Sequence, residues 1–143
     1  MLKDKHFGAA ILAAPFFLIA FTLLRPVTLE LELSWPLHAP ARFLLPALVY
    51  PVLEEAAFRG LLQGTLVRFD WGRRSRAGIS GANLLTSIAF TACHVLYHPP
   101  AWAAAVFVPS LIYGYFRDRT GSIRHSVALH AWYNAGYFWI FGL

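Results

Sequence analysis

The chain has 143 residues, enough for one domain, and 58% of them are hydrophobic while only 13% are charged. A soluble domain carries about 25% charged residues, so lipid rather than water is the expected solvent for much of the surface. The net charge is +5, but the cations lie in short connections between apolar runs, which indicates membrane topology rather than a nucleic-acid partner. The single cysteine, Cys93, excludes an intrachain disulfide.

Five hydrophobic segments follow one another along the chain, and none alternates polar and apolar residues as a barrel strand does. Helices are the remaining way to satisfy backbone polar groups in lipid. The sequence therefore predicts an all-α, polytopic membrane protein: a bundle of about five transmembrane helices that forms one domain over residues 1–143. The segments are 7–24, about 43–69, about 81–97, 101–116 and about 122–143.

The first segment follows Lys3 and Lys5 and resembles the basic and apolar regions of a signal peptide. It is uncharged and approaches the length of a membrane span. No small-x-small cleavage pattern follows it, so we expect a retained first helix, with a signal peptide as the alternative. The stretch after it contains Pro26 and Pro36 and is expected to be an interfacial connection.

Positive charges are distributed unequally between the two predicted sides of the membrane. Nine of the twelve cations would lie on the side of the N-terminus, against Arg25 and Arg42 on the other side, with Arg59 inside a helix. The positive-inside rule then places the N-terminus in the cytoplasm and the C-terminus outside. The nine cations are Lys3, Lys5, Arg68, Arg73, Arg74, Arg76, Arg117, Arg119 and Arg124.

Three charges interrupt the middle of the second segment, where each charge costs at least a few kcal/mol in lipid. Glu55 and Arg59 are four residues apart, so they share a helix face and are expected to pair. Glu54 points toward a neighbouring face and is a candidate general base. The alternative is a buried ion pair that only joins helices, but such a pair has no need of a second acid.

The third and fifth segments each carry two residues spaced by one helical turn. Phe90 and His94 share a face of the third segment, and His130 and Asn134 share a face of the fifth. His94 could assist a base, while His130 and Asn134 could donate hydrogen bonds to a developing oxyanion. Taken alone, these polar residues could equally join helices. Together with the acids they supply what the addition of water to an amide carbonyl requires.

These three patterns, in this order on three apolar segments, resemble the motifs of the CAAX protease and bacteriocin-processing (CPBP, or Abi) family. That family includes the CAAX prenyl endopeptidases of the Ras-converting type. Each motif is weak alone, but the set spans most of the chain. The matching residues are Glu54-Glu55-x-x-x-Arg59, Phe90-x-x-x-His94 and His130-x-x-x-Asn134.

The resemblance implies an intramembrane endopeptidase, of a glutamic type, that needs no cofactor. It implies that Glu54 activates water with the help of His94, that His130 and Asn134 stabilise the oxyanion, and that Glu55 and Arg59 support the site.

The short chain is most similar to bacterial members of the family, which implies a bacterial cell membrane as its location. Those members process peptides or the C-terminal sorting tails of exported proteins. The expected partners are therefore the lipid bilayer and a membrane-associated protein or peptide substrate, possibly with a CAAX-like tail.

Two other interpretations remain open at this point. His94 and His98 are four residues apart and, with Glu54, could form a catalytic metal site. The polar residues could instead form a proton relay in a transporter or an immunity scaffold that has no enzymatic activity.

Overall fold

Helices make up most of the computed structural model, which describes residues 4–24 and 32–142. The all-α prediction is confirmed, since a single two-stranded hairpin is the other regular element in these residues. The roles expected for Lys3, Arg25 and Pro26 fall outside the described residues. Within the part of the chain that is described, no helix has both the length and the apolarity needed to cross a membrane.

The helices follow the predicted segments, but the second and fourth segments are subdivided. Before the hairpin the elements are α1 (Lys5–Leu24), α2 (Trp35–His38), α3 (Pro40–Leu44), π1 (Leu45–Val49), α4 (Tyr50–Glu55), π2 (Ala56–Gln63), α5 (Gly64–Leu66) and α6 (Asp70–Arg73). After the hairpin they are α7 (Gly81–Val95), α8 (Pro100–Ala105), α9 (Phe107–Thr120) and α10 (Arg124–Phe141).

Helix α9 extends four residues beyond the predicted end of the fourth segment. Arg117 and Arg119 therefore lie on a helix and not in the predicted connection between the fourth and fifth segments. The helix ends where Gly121 adopts a left-handed conformation, with φ of 68°, and donates its N–H to Arg117 O. The arginines predicted a loop after Phe116, but the helix continues to Thr120 and ends at the glycine that follows.

Residues 40–66 are helical without interruption, but the hydrogen-bond pattern changes along the way. In π1 the N–H of Tyr50 bonds to Leu45 O, five residues back. The N–H of Tyr50 is therefore not directed at Pro46 O, and the following residue, Pro51, has no N–H to donate. The carbonyl of Pro46 thus lacks a donor from its own helix.

The connection from α6 to α7 is a short antiparallel hairpin of β1 (Ser75–Arg76) and β2 (Ile79–Ser80). Its turn residues, Ala77 and Gly78, have φ of 51° and 82°, the left-handed pair that suits the twist of a two-residue hairpin. The hairpin ends at Ser80, whose side chain accepts a hydrogen bond from Asn83 N and so caps α7. Apolar periodicity predicts only a connection between the second and third hydrophobic segments at these residues.

The described structure divides into two compact units, and the expected single domain stays a prediction. The first unit contains residues 1–53 and 128–143. In it two aromatic side chains of α10 donate hydrogen bonds to backbone carbonyls of α1. Tyr133 Oη donates to Ala10 O at 2.7 Å, and Trp132 Nε1 donates to Ile11 O at 3.2 Å.

The second unit contains residues 54–127 and is organised around α7 and α9. Asn83 of α7 is fully buried and donates from Nδ2 to Leu111 O at 3.0 Å. Its Oδ1 accepts from Ser87 Oγ at 3.1 Å. The Asn83 side chain lies so close to the α9 backbone that position 114 must be a glycine, because a Cβ at Gly114 would lie 1.9 Å from Asn83 Oδ1.

The Gly114 contact predicts a large effect for a one-carbon change. Gly114→Ala would push Asn83 out of its hydrogen bonds, so we expect a loss of at least about 1–3 kcal/mol of stability. Gly8→Ala is the control, because a Cβ at Gly8 of α1 meets nothing within 4 Å. It should be neutral or slightly stabilising. Thermal unfolding in detergent measures both, and equal melting temperatures would contradict the packing.

Candidate functional site

The predicted pair of Glu55 and Arg59 is present and completely buried. Arg59 Nη1 lies 3.3 Å from Glu55 Oε1, and both side chains have 0% exposure. The same guanidinium donates from Nη2 to Ser110 O at 2.8 Å and to Ser110 Oγ at 2.6 Å. A buried ion pair is tolerable only with such additional hydrogen bonds, because desolvation of the two charges opposes their attraction.

Aromatic rings cover the guanidinium of Arg59, and one of them belongs to the third hydrophobic segment. Its Cζ lies 5.0 Å from the centroid of the Phe90 ring and 5.7 Å from that of Tyr113, within the range of cation–π attraction. The Phe90 ring also meets Phe58 edge-on at 5.0 Å. The phenylalanine of the second motif therefore packs directly against the arginine of the first.

A third buried polar residue continues the line of Glu55 and Arg59. Gln63 has 0% exposure, and its Nε2 donates to Gly114 O at 2.9 Å and to Asp118 Oδ1 at 2.7 Å. Residues 55, 59 and 63 thus form a buried polar stripe along α4 and π2. Sequence analysis missed Gln63, although its spacing of four from Arg59 was a signal.

The carbonyl of Arg59 is also bonded, by Arg117 Nε of α9 at 3.0 Å. Ser110 and Arg117 were likewise missed as site residues. Ser110 stood out as a polar residue in an apolar segment, whereas Arg117 had been assigned to a loop. The hydrogen bonds described here between the stripe and other elements therefore all go to α9.

His94 is held in one tautomer by its own helix. Its Nδ1 lies 2.9 Å from Phe90 O, and a carbonyl oxygen only accepts, so the proton resides on Nδ1. In the neutral ring Nε2 then carries a lone pair that can accept a proton. The ring stacks at 4.4 Å on Phe90 and at 6.1 Å on Trp102, which restricts its orientation.

Glu54 is half-buried near the end of α4, next to the fully buried Glu55. It belongs to the same unit as Arg59 and His94. The two acids thus differ in burial, and the catalytic role expected for Glu54 stays a prediction. A water-mediated contact between Glu54 and His94 stays a prediction.

The other two predicted catalytic residues belong to the unit formed by residues 1–53 and 128–143. His130 is buried, with 4% exposure, and Asn134 is half-buried. Asn134 Nδ2 donates to Pro46 O at 3.0 Å, the carbonyl that Pro51 leaves without a helical donor. One N–H of the amide is therefore used for anchoring, and its second N–H is the one suited to an oxyanion.

The metal alternative is not assembled in this structure. Among the residues described, no three His, Cys, Asp or Glu side chains lie close enough together to hold a metal ion. Glu54, His94 and His98 therefore do not form a ligand set. The His98 ring contacts Trp102, with ring centroids 3.9 Å apart.

Comparison with known proteins identifies one family. The family model described as type II CAAX prenyl endopeptidase Rce1-like matches residues 35–136, well over half of the chain. The matched range contains all three sequence motifs. No curated protein and no solved structure shows a significant match to the chain.

The buried ion pair predicts a strong asymmetry between single and double changes. Arg59→Leu would leave Glu55 charged and uncompensated, so we expect a loss of about 3–5 kcal/mol of stability. The double variant Glu55→Gln with Arg59→Leu should recover a large part of that loss, because no buried charge remains. Unfolding in detergent measures the stability of the two single variants and the double variant. A loss in the double variant equal to the sum of the two single losses would contradict the pairing.

Proposed function

The chain belongs to the Rce1-like family of type II CAAX prenyl endopeptidases, and on this premise we propose that it is an intramembrane endopeptidase of the glutamic type. Its reaction is the hydrolysis of a peptide bond in a membrane-associated protein or peptide. The observation that carries the proposal is the buried Glu55–Arg59 pair, which adjoins the half-buried Glu54 and packs through Phe90 onto the oriented His94. A pair that only joined helices would not need the adjacent acid and histidine.

In the proposed mechanism Glu54 takes a proton from water while the oxygen attacks the scissile carbonyl carbon. His94 accepts a hydrogen bond from the same water through Nε2 and orients it. The resulting oxyanion accepts hydrogen bonds from His130 and from the second N–H of Asn134. Collapse of the tetrahedral intermediate breaks the C–N bond, and Glu54 returns its proton to the leaving amine.

Glu55 and Arg59 have a supporting role in this proposal. Their mutual pairing fixes the last turn of α4, and with it the backbone that carries Glu54. A general base contributes only if it lies within hydrogen-bond reach of the proton that it removes. The rigid buried pair therefore serves the orientation of its neighbour.

The proposed location is a lipid bilayer, supported by the distribution of apolar and polar side chains. Helix α1 exposes Leu12, Phe16 and Leu23 by 72%, 73% and 83%, whereas Glu55 and Arg59 are fully buried. Large exposed apolar surfaces mark contact with a membrane or a partner.

The proposed topology has the N-terminus in the cytoplasm and the C-terminus outside, in a bacterial cell membrane. The described cations in the connections support this orientation, since Arg68, Arg73, Arg74 and Arg76 are all exposed. The proposed substrate is a C-terminal sorting tail or CAAX-like tail presented at the membrane.

The role of Glu54 predicts a loss of rate without a loss of binding. Glu54→Gln keeps the shape of the side chain but cannot take a proton from water, so turnover should fall by at least on the order of 10²-fold. Glu55→Gln should lower stability as well as rate, because it removes a partner of Arg59. Asp70→Asn is the control, since this acid lies on the surface and pairs only with the exposed Arg73.

The measurement is cleavage of one quenched peptide by purified variants in liposomes, with melting curves taken in parallel. Cleavage that persists with a chelator excludes a metal requirement. Wild-type turnover in Glu54→Gln, together with a folded but inactive Glu55→Gln, would show that Glu55 is the base. No cleavage of any peptide by the wild type would favour a scaffold without enzymatic activity.

The proposed location predicts that α1 contacts lipid. A nitroxide at Leu12, introduced as Leu12→Cys in a Cys93→Ser background, should be relaxed by oxygen and shielded from a water-soluble nickel chelate. The same label at Arg76 of the hairpin should show the opposite preference, because that residue is exposed in a basic connection. Equal access of both reagents to Leu12 would contradict the location.

A further inference from the structure

The carbonyl of Arg59 lies in the last turn of π2, which ends at Gln63. In a π-helix each N–H bonds to the carbonyl five residues back, so the N–H of Gly64 is directed to Arg59 O. A carbonyl oxygen has two lone pairs and can accept a second hydrogen bond.

Arg117 supplies this second donor from α9. Its Nε lies 3.0 Å from Arg59 O, and the bond is part-buried. A side chain at Gly64 would crowd the approach, because a Cβ there would lie 3.3 Å from Arg117 Nη2. The bond therefore ties the backbone of Arg59, inside the π segment, to α9.

A comparable bond occurs in π1, where Asn134 Nδ2 donates to Pro46 O at 3.0 Å. In each π segment, a side chain from a distant part of the sequence donates to a backbone carbonyl.

The geometry points to Arg117 as a positioning residue for the proposed hydrolysis, acting through the π2 backbone. A one-residue change of pattern would rotate the Arg59 side chain by about 100° and so remove it from Ser110 and Glu55. Arg117 does not touch the reacting atoms. It fixes the backbone of Arg59, which fixes Glu55 and hence the turn that carries Glu54.

This inference rests on the proposed function, but its first test does not. Hydrogen–deuterium exchange of residues 59–66 is measured on the full chain in nanodiscs. Arg117→Met removes the donor and keeps the aliphatic stem, so exchange there should become faster by about 10-fold or more. Arg119→Met is the matched control, because Arg119 lies on the same helix, carries the same charge and is exposed. Its exchange profile should match the wild type.

The second test is turnover of the quenched peptide. Arg117→Met should lower kcat by on the order of 10²-fold with little change in KM, since it displaces the site without removing a binding group. Arg117→Lys should lie between this variant and the wild type in both tests, because an ammonium group can still donate to Arg59 O.

Unchanged exchange around residue 59 in Arg117→Met would overturn the inference, as would an equal effect of Arg119→Met. If Arg117→Met does not accumulate, the Arg117→Lys variant decides. Wild-type exchange of residues 59–66 together with reduced turnover in Arg117→Lys would then overturn the inference. If the wild type cleaves no peptide, the proposed function fails, while the exchange data still decide whether Arg117 holds the π segment.

Discussion

The structure of residues 54–127 depends on the burial of two opposite charges that have no access to water. Glu55 and Arg59 are both fully buried, and their mutual attraction does not by itself compensate for desolvation. Each surrounding element contributes part of the compensation. Helix α9 provides the carbonyl and hydroxyl of Ser110, and the aromatic faces of Phe90 and Tyr113 lie against the guanidinium. The identities of these neighbours follow from the need to accommodate the arginine.

Bonds from side chains to backbone carbonyls help to meet that need. A helical carbonyl has a second lone pair to offer, and in α9 Ser110 O and Gly114 O accept from Arg59 and Gln63. In both π segments a backbone carbonyl likewise accepts from a side chain elsewhere in the sequence. Helix–helix contact is thereby made through directional bonds to the backbone. Such bonds suit a protein in lipid, where apolar packing provides little specificity.

The arrangement of side chains also explains why family membership and a bilayer location are consistent. Polar residues such as Gln63, Asn83 and Ser126 are fully buried, whereas large apolar residues such as Leu23 and Leu37 are exposed. In water this distribution would be unfavourable on both counts. In lipid the exposed leucines cost nothing, and Gln63, Asn83 and Ser126 each donate a hydrogen bond to a backbone carbonyl of α9. The proposed protease chemistry uses the same interior.

The sequence by itself determined the helical class, the pairing of Glu55 with Arg59 and the shared helix face of Phe90 and His94, which the structure confirms. These last two are local relations between residues four positions apart, and helical periodicity dictates them. The catalytic roles of Glu54, His94, His130 and Asn134 remain predictions from the order of the motifs. The hydrogen bonds of Arg59 to Ser110 and the attachment of Arg117 to Arg59 O were decided by tertiary structure. They join residues more than fifty positions apart. No local pattern in the sequence records that, because a backbone hydrogen bond to a carbonyl leaves no trace in the identity of the residue that accepts it.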